Sequence, residues 1–184
     1  MTIQSIEEKD LCMQCGLCAS VCPHQAIEIR YKGQDGFYHP VVHDDFCTQC
    51  GRCLRCCPAE NNHINQCVLG PYTNLMLAHS TNATVRKMST SGGVINSLVR
   101  FVIASDMVDC VLMVSRNNQA ETETSYAVIT SDNVSLLEEN PRDFASRYVA
   151  YPILSALREV QHQYKRIAVV ATPCQIRALS LLQD

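Results

Sequence analysis

Apolar and polar positions divide this chain into two regimes. Early on, the strand signals are short. Ala26-Ile27-Glu28-Ile29 alternates, which predicts a strand, and Lys32 to Val42 reads as a turn followed by a second strand. Asn61 to Tyr72 is polar, with Gly70-Pro71 near its end; it reads as a linker and puts a domain boundary near residue 70. Beyond it the pattern changes. Val94, Ile95, Leu98, Val99, Phe101, Val102 and Ile103 fall at helical spacing, with Ser91 positioned to cap the helix. Val108 to Ser115 is apolar and rich in β-branched residues, the mark of a buried strand. Tyr126 to Thr130 predicts another strand, ended by Ser131-Asp132-Asn133. Pro152 to Tyr164 predicts a helix with proline in its first turn. Arg166 to Ala171 predicts a strong buried strand, then a short loop, Thr172 to Gln175, and a helix from Ile176. This order predicts an α/β domain over 69–184, behind a smaller domain over 1–68.

The smaller domain carries a duplicated run. Cys12-x2-Cys15-x2-Cys18-x3-Cys22-Pro23 recurs as Cys47-x2-Cys50-x2-Cys53-x3-Cys57-Pro58. This is the spacing that holds two 4Fe-4S clusters in bacterial-type ferredoxins, so an α+β ferredoxin domain is expected. Three cysteines at x2 intervals in a tight turn wrap three corners of one cube. The fourth lies too far along to close that cube and ligates the other cluster. Cys12, Cys15, Cys18 and Cys57 are therefore assigned to one cluster, and Cys47, Cys50, Cys53 and Cys22 to the other. Pro23 and Pro58 end each run. Gly16 and Gly51 keep bulk away from the cluster and permit unusual backbone angles. Zinc is the competing reading of Cys-x2-Cys pairs, yet zinc gives no reason for two identical four-cysteine runs each closed by proline. Cys56 adjoins Cys57, but the x3-Cys-Pro spacing selects Cys57. Cys67 reads as a lone thiol and Cys110 as a packing residue.

The remaining chemistry is sparse. With 12 cysteines and no basic, apolar leader at the N-terminus, crowded thiols point to a reducing, cytoplasmic compartment rather than a disulfide framework. The formal net charge of −3 and scattered basic residues give no nucleic-acid surface. Arg100, Asp106 and Asp109 interrupt the most apolar stretch, Val94 to Val114, so no transmembrane segment is expected. Two small constellations stand out. Ser89-Thr90-Ser91-Gly92-Gly93 before a helix is either an anion site, where free amides meet a phosphate, or an ordinary cap with a glycine turn. Thr172-Pro173-Cys174-Gln175 follows a buried strand, where open α/β sheets bind ligands; Cys174 there can bind iron, act in redox chemistry, or pack.

Together these features resemble the coenzyme F420 hydrogenase/dehydrogenase beta-subunit family. The stretch Leu77-Ala78-His79-Ser80-x5-Arg86-Lys87-x-Ser89-x-Ser91-Gly92-Gly93 resembles its start behind the ferredoxin repeat, Ser146-Arg147-Tyr148-Val149 its Ser-Lys-Tyr-Val element, and Ala171 to Ile176 its Gly-Thr-Pro-Cys-Gln signature. The resemblance implies FAD in the second domain, with Ser91, Gly92 and Gly93 in the flavin site and Thr172, Pro173, Cys174 and Gln175 near the cofactor. Family members usually continue beyond that signature, whereas this chain has 184 residues. The resemblance thus implies a fragment, a partner chain that completes the second domain, or a reduced form.

Two functions follow as expectations. In one, an oxidoreductase subunit exchanges hydride with an F420-like carrier through FAD and passes single electrons through two 4Fe-4S clusters to other redox subunits or a soluble carrier. In the other, a flavin-free relay subunit wires a hydrogenase- or dehydrogenase-type complex, and the second domain is a docking platform.

Overall fold

A computed structural model describes residues 2–61, 72–117, 119, 123–147 and 149–182. The linker expected over Asn61 to Tyr72, with Cys67 and the boundary near residue 70, lies almost wholly outside the described residues, and so does Tyr148. Helices and small sheets alternate in an α+β mixture.

The N-terminal part is built around its thiols. A single turn of helix, α1 (Gln4–Glu7), directs Ile3 and Ile6 into a small core with Ala26, Ile27, Cys18, Cys22, Cys53 and Cys57. Half of those buried residues are cysteines, which leaves little aliphatic surface to drive folding. Domains of this size usually need a metal or covalent staple. Helix α2 (Leu17–Val21) leads to the antiparallel hairpin β1 (Ile27–Lys32) and β2 (Phe37–Val42), with Ile27 opposite Val42 and Lys32 opposite Phe37. A 3-10 turn, Asp44–Phe46, precedes the second run, which ends in α3 (Arg52–Arg55) beside α2. The two runs follow one backbone path. Gln14 and Gly16 take φ of 55° and 84°, and Gln49 and Gly51 take 54° and 74°. Each second cysteine thus sits between two left-handed residues, a curl that turns three thiols toward one side.

The C-terminal part opens with α4 (Ala83–Met88), capped by Asn82, whose side-chain oxygen accepts from the Thr84 and Val85 amides at 3.0 and 3.1 Å. Next come α5 (Val94–Ala104), β3 (Cys110–Arg116), β4 (Thr124–Ile129), α6 (Leu136–Glu139), 3-10 turns at Pro141–Phe144 and Ile153–Ala156, α7 (Leu157–Gln163), β5 (Ile167–Val169) and α8 (Pro173–Ser180). The strand order is β4-β3-β5; β3 pairs antiparallel with β4 and parallel with β5. Alternation along β3 separates two cores. Cys110 and Leu112 join Ile153, Leu154, Val160 and Ala178 on one face; Val111 and Met113 join Val99, Ile103, Ile129 and Leu137 on the other. Covered on both faces, β3 is the buried strand its apolar run predicts. Cys110 is fully buried at the start of that strand rather than in its middle.

Several local expectations change. The cap of α5 is Gly93, not Ser91; Ser91, Gly92 and Gly93 all have positive φ, and Ser91 caps nothing. β5 has three residues and is only half-buried, because among the described residues it is a sheet edge with one neighbour. Pro152 precedes a 3-10 turn, and the α-helix begins only at Leu157. Thr172 to Gln175 is not a loop but the start of α8: Thr172 is its N-cap, Pro173 its first residue, and Gln175 closes a capping box.

The two parts share a contact surface. Leu17 of α2 enters the core of Leu112, Ile153 and Leu154. The Leu154 amide donates to the Cys15 carbonyl at 3.2 Å, and Ser20 Oγ donates to the Leu154 and Ser155 carbonyls at 2.5 and 2.9 Å. The Arg158 guanidinium donates to the carbonyls of Ala19, Ser20 and Cys22, satisfying orphan acceptors at the end of α2 and placing a cation there.

Candidate functional site

Two cavities lie in the N-terminal part. Cys12, Cys15, Cys18 and Cys57 line the first, with Gln14, Tyr38 and Pro152. Cys22, Cys47, Cys50 and Cys53 line the second, with Ile27, Gln49 and Arg52. The fourth cysteine of each run therefore lies with the first three of the other. Cys53 also borders the first cavity, so the two are neighbours, and Cys56 borders the first as a sixth thiol. Among the described residues, no three His, Cys, Asp or Glu side chains gather closely enough to hold a single ion. A four-iron cube asks for something else, since each thiolate meets a different iron and the four surround a volume.

The cavities differ in environment. Burial raises the Cys12 thiol above its ordinary pKa, lifts Cys15 to about 11 and pushes Cys18 well up. Cys50 is exposed, and the Arg52 backbone N–H favours its thiolate, lowering its pKa. The Ala26 amide donates to Cys22 Sγ at 3.3 Å, the kind of bond that tunes cluster sulfurs.

A third space, a cleft of about 480 Å3, opens in the C-terminal part. That is within the range of cofactor sites, ~300–1,000 Å3. Ser91 and Gly93 border it from the left-handed loop, and Thr172, Cys174 and Gln175 from the start of α8. Gly92 and Pro173 do not line it; Gly92 packs instead on His79, where an added Cβ would lie 3.0 Å from the His79 Cβ. Gln175 is held by its own amide, which donates to the Tyr151 carbonyl at 2.9 Å, while its oxygen accepts from the Thr172 amide at 2.9 Å. Cys174 is half-exposed, with Sγ 3.2 Å from Thr172 Oγ1. Val94, Met113, Val114 and Phe144 supply apolar walls.

Arg147 also lines the cleft, and its Nε is buried with no hydrogen-bond partner among the described residues. A buried unpaired guanidinium N–H is costly, and an anion in the cleft would satisfy it. The sequence signalled Arg147 only within the Ser146 to Val149 element, and its spacing from Ser91 hid that both face one space. Met13 and Gln14 of the first cysteine run are further lining residues that sequence reasoning missed. The signal was weak: a glutamine with positive φ is uncommon and is not readable as such from composition.

Met13 and Gln14 border both the cleft and the first thiol cavity. Gln14 Oε1 accepts from the Tyr38 amide at 3.0 Å, fixing the wall. Tyr38, at the thiol cavity, meets Tyr151, at the cleft, edge-on with ring centroids 5.7 Å apart. The three spaces thus run in series: cleft, first thiol cavity, second thiol cavity.

Residues 11–61 match the 4Fe-4S dicluster domain, a span that includes all eight run cysteines. Fold, cavities and match define an iron-sulfur protein. Residues 75–158 match the N-terminal region of the coenzyme F420 hydrogenase/dehydrogenase beta subunit, a span that includes Ser91, Gly92, Gly93 and Arg147 but not the start of α8. The chain is 29% identical over 188 aligned residues to an F(420)H(2) dehydrogenase subunit of Methanosarcina mazei, covering 99% of this chain and 51% of that protein. It is 21% identical over 118 residues to the coenzyme F420 hydrogenase subunit beta of Methanothermobacter thermautotrophicus, covering 63% of this chain and 40% of that one. The chain thus carries, in order, a stretch that matches the 4Fe-4S dicluster domain and one that matches the N-terminal region of the coenzyme F420 hydrogenase/dehydrogenase beta subunit. It spans about half the length of the curated relatives it matches. Among the described residues, no helix is long and apolar enough to cross a membrane.

Proposed function

We propose that this chain is the electron-transfer part of an F420-linked oxidoreductase, with a ferredoxin domain over 1–68 and a flavin-binding domain over 69–184. The serial order of cleft, first thiol cavity and second thiol cavity carries the reading. Cys12, Cys15, Cys18 and Cys57 would hold one 4Fe-4S cluster, and Cys22, Cys47, Cys50 and Cys53 the other. FAD in the cleft would supply two-electron hydride chemistry and the clusters one-electron steps.

The chain's own residues supply binding and order. Arg147 Nε has an unmet donor suited to a phosphate of the cofactor. The left-handed Ser91–Gly93 turn is seated against α4 at the cleft's border, since at Gly93 an added Cβ would lie 2.7 Å from Val85 Cγ1. The capping box holds Thr172 and Gln175 rigid at the opposite rim. Tyr38, Tyr151 and Gln14 stand in the wall between cleft and first thiol cavity. Cys50 gives the second cavity an exposed thiol, while the first cavity shares Met13 and Gln14 with the cleft. The partners would be other redox subunits or a soluble carrier, in a reducing compartment.

The test is the cofactor content of anaerobically purified protein: acid-released flavin, iron and sulfide from one sample. Near-stoichiometric FAD with two clusters is the expected result. Clusters without flavin would return the relay reading, with the second domain as docking platform. Zinc in place of iron and sulfide would overturn both.

A further inference from the structure

A fourth space, a groove, lies across the contact between the two parts, away from the cleft. Arg52, Arg55, Arg158 and His162 line it, over an apolar floor that includes Leu157 and Leu182. Among the described residues, no Asp or Glu lines it. Arg52 and Arg55 are exposed on α3, and among the described residues neither is in an ion pair with a carboxylate. This local sign runs against the chain's formal net charge of −3. The groove also touches both thiol cavities: Arg52 borders the Cys22/Cys47/Cys50/Cys53 cavity, and Cys56 borders the other. An apolar centre with a basic rim, beside the cavity that holds exposed Cys50, fits a protein surface of opposite charge.

The geometry points to this groove as the docking site for a small acidic one-electron carrier protein. The inference rests on reading the cavities as cluster sites. One electron leaves this chain and reduces the partner by one; no bond forms or breaks and no proton moves. The electrons come from the hydride donor of the proposed activity. An anionic lipid surface would be attracted by the same charges, but a membrane is flat, and it has no use for a recess that abuts both thiol cavities.

The probe is a small acidic two-cluster ferredoxin, titrated calorimetrically onto the full chain at low and high salt. Electrostatic steering raises association about 10- to 1,000-fold and falls steeply with ionic strength. Binding is expected to weaken at least ~10-fold as the Debye length shrinks from about 10 Å at 0.1 M to about 3 Å at 1 M. Arg55→Glu, which borders the groove but neither thiol cavity, should weaken low-salt binding to a similar degree and converge with wild type at high salt. Stopped-flow oxidation of the pre-reduced chain by the same ferredoxin should show the same ordering, while a neutral quinone acceptor should not distinguish the variants. Salt-independent binding, or an Arg55→Glu chain that binds like wild type, overturns the docking site. So does salt-dependent binding to phosphatidylserine vesicles with none to the ferredoxin. Iron and sulfide on the same sample keep the two ideas apart. A chain without clusters defeats the redox reading, and the calorimetry still decides the docking.

Discussion

Gly16 and Gly51 occupy equivalent positions in the two cysteine runs, yet their replacement should differ sharply in cost. Both have positive φ, 84° and 74°, so alanine at either is strained by about 1–2 kcal/mol. There the equivalence ends. Among the described residues, nothing lies within 4 Å of a Cβ built on Gly51. A Cβ on Gly16 would lie 2.5 Å from the Pro152 carbonyl oxygen and 2.8 Å from the Ser155 amide nitrogen. Those are backbone atoms of the 3-10 turn that bonds to Cys15 and Ser20, so they cannot swing aside as a side-chain tip would. Overpacking of this kind costs about 1–3 kcal/mol more. Gly51→Ala should therefore cost about 1–2 kcal/mol and Gly16→Ala about 2–5 kcal/mol. Cluster loss is irreversible, so the readout is a rate: decay of visible absorption after a jump into denaturant. A difference of about 1–3 kcal/mol, expressed on the unfolding side, separates the two rates roughly 5- to 150-fold. Equal rates for the two variants would refute the reasoning, because left-handed strain alone would then explain both.

Cys15→Ser should remove one cluster and Cys50→Ser the other, each halving iron and sulfide; a variant retaining both clusters breaks the crossed ligand assignment. Arg147→Ala removes the unpaired donor, and hydrogen bonds to charged groups are worth about 1.5–3 kcal/mol, so flavin binding by fluorescence titration should weaken roughly 10- to 150-fold. Unchanged affinity would show that the cleft holds no phosphate at Arg147. Burial pushes the Cys56 thiol up to about 12 from 9.0, so iodoacetamide at pH 8 should leave it unmodified while half-exposed Cys174 reacts. The folded state binds the Cys56 proton more tightly than the unfolded chain does. Its stabilising contribution is therefore whole below about pH 9 and is lost as pH rises toward 12, a dependence that Cys56→Ala should reduce in alkaline unfolding curves.

What sequence alone determined follows from strictly local rules. The hairpin, α5, β3, β4 and α8 were legible because period 2 and helical spacing reflect which face each residue buries. The Thr-x-x-Gln capping box was equally local and could have been read; taking Thr172 to Gln175 as a loop overlooked it. The cysteine runs announced their chemistry because a cube dictates spacing within a single turn. Tertiary structure decided everything that depends on residues distant along the chain. It left β5 half-buried, since edge position depends on neighbours rather than on apolar content. It gave Gly16 a backbone ceiling and Gly51 none, although the surrounding motifs are nearly the same. It brought Gln14, Ser91, Arg147 and Cys174 to one cleft and set that cleft against the first thiol cavity. Periodicity records burial on an element's own face. Which faces meet is set by packing across the whole chain, and the contact of cleft with thiol cavity exists only there.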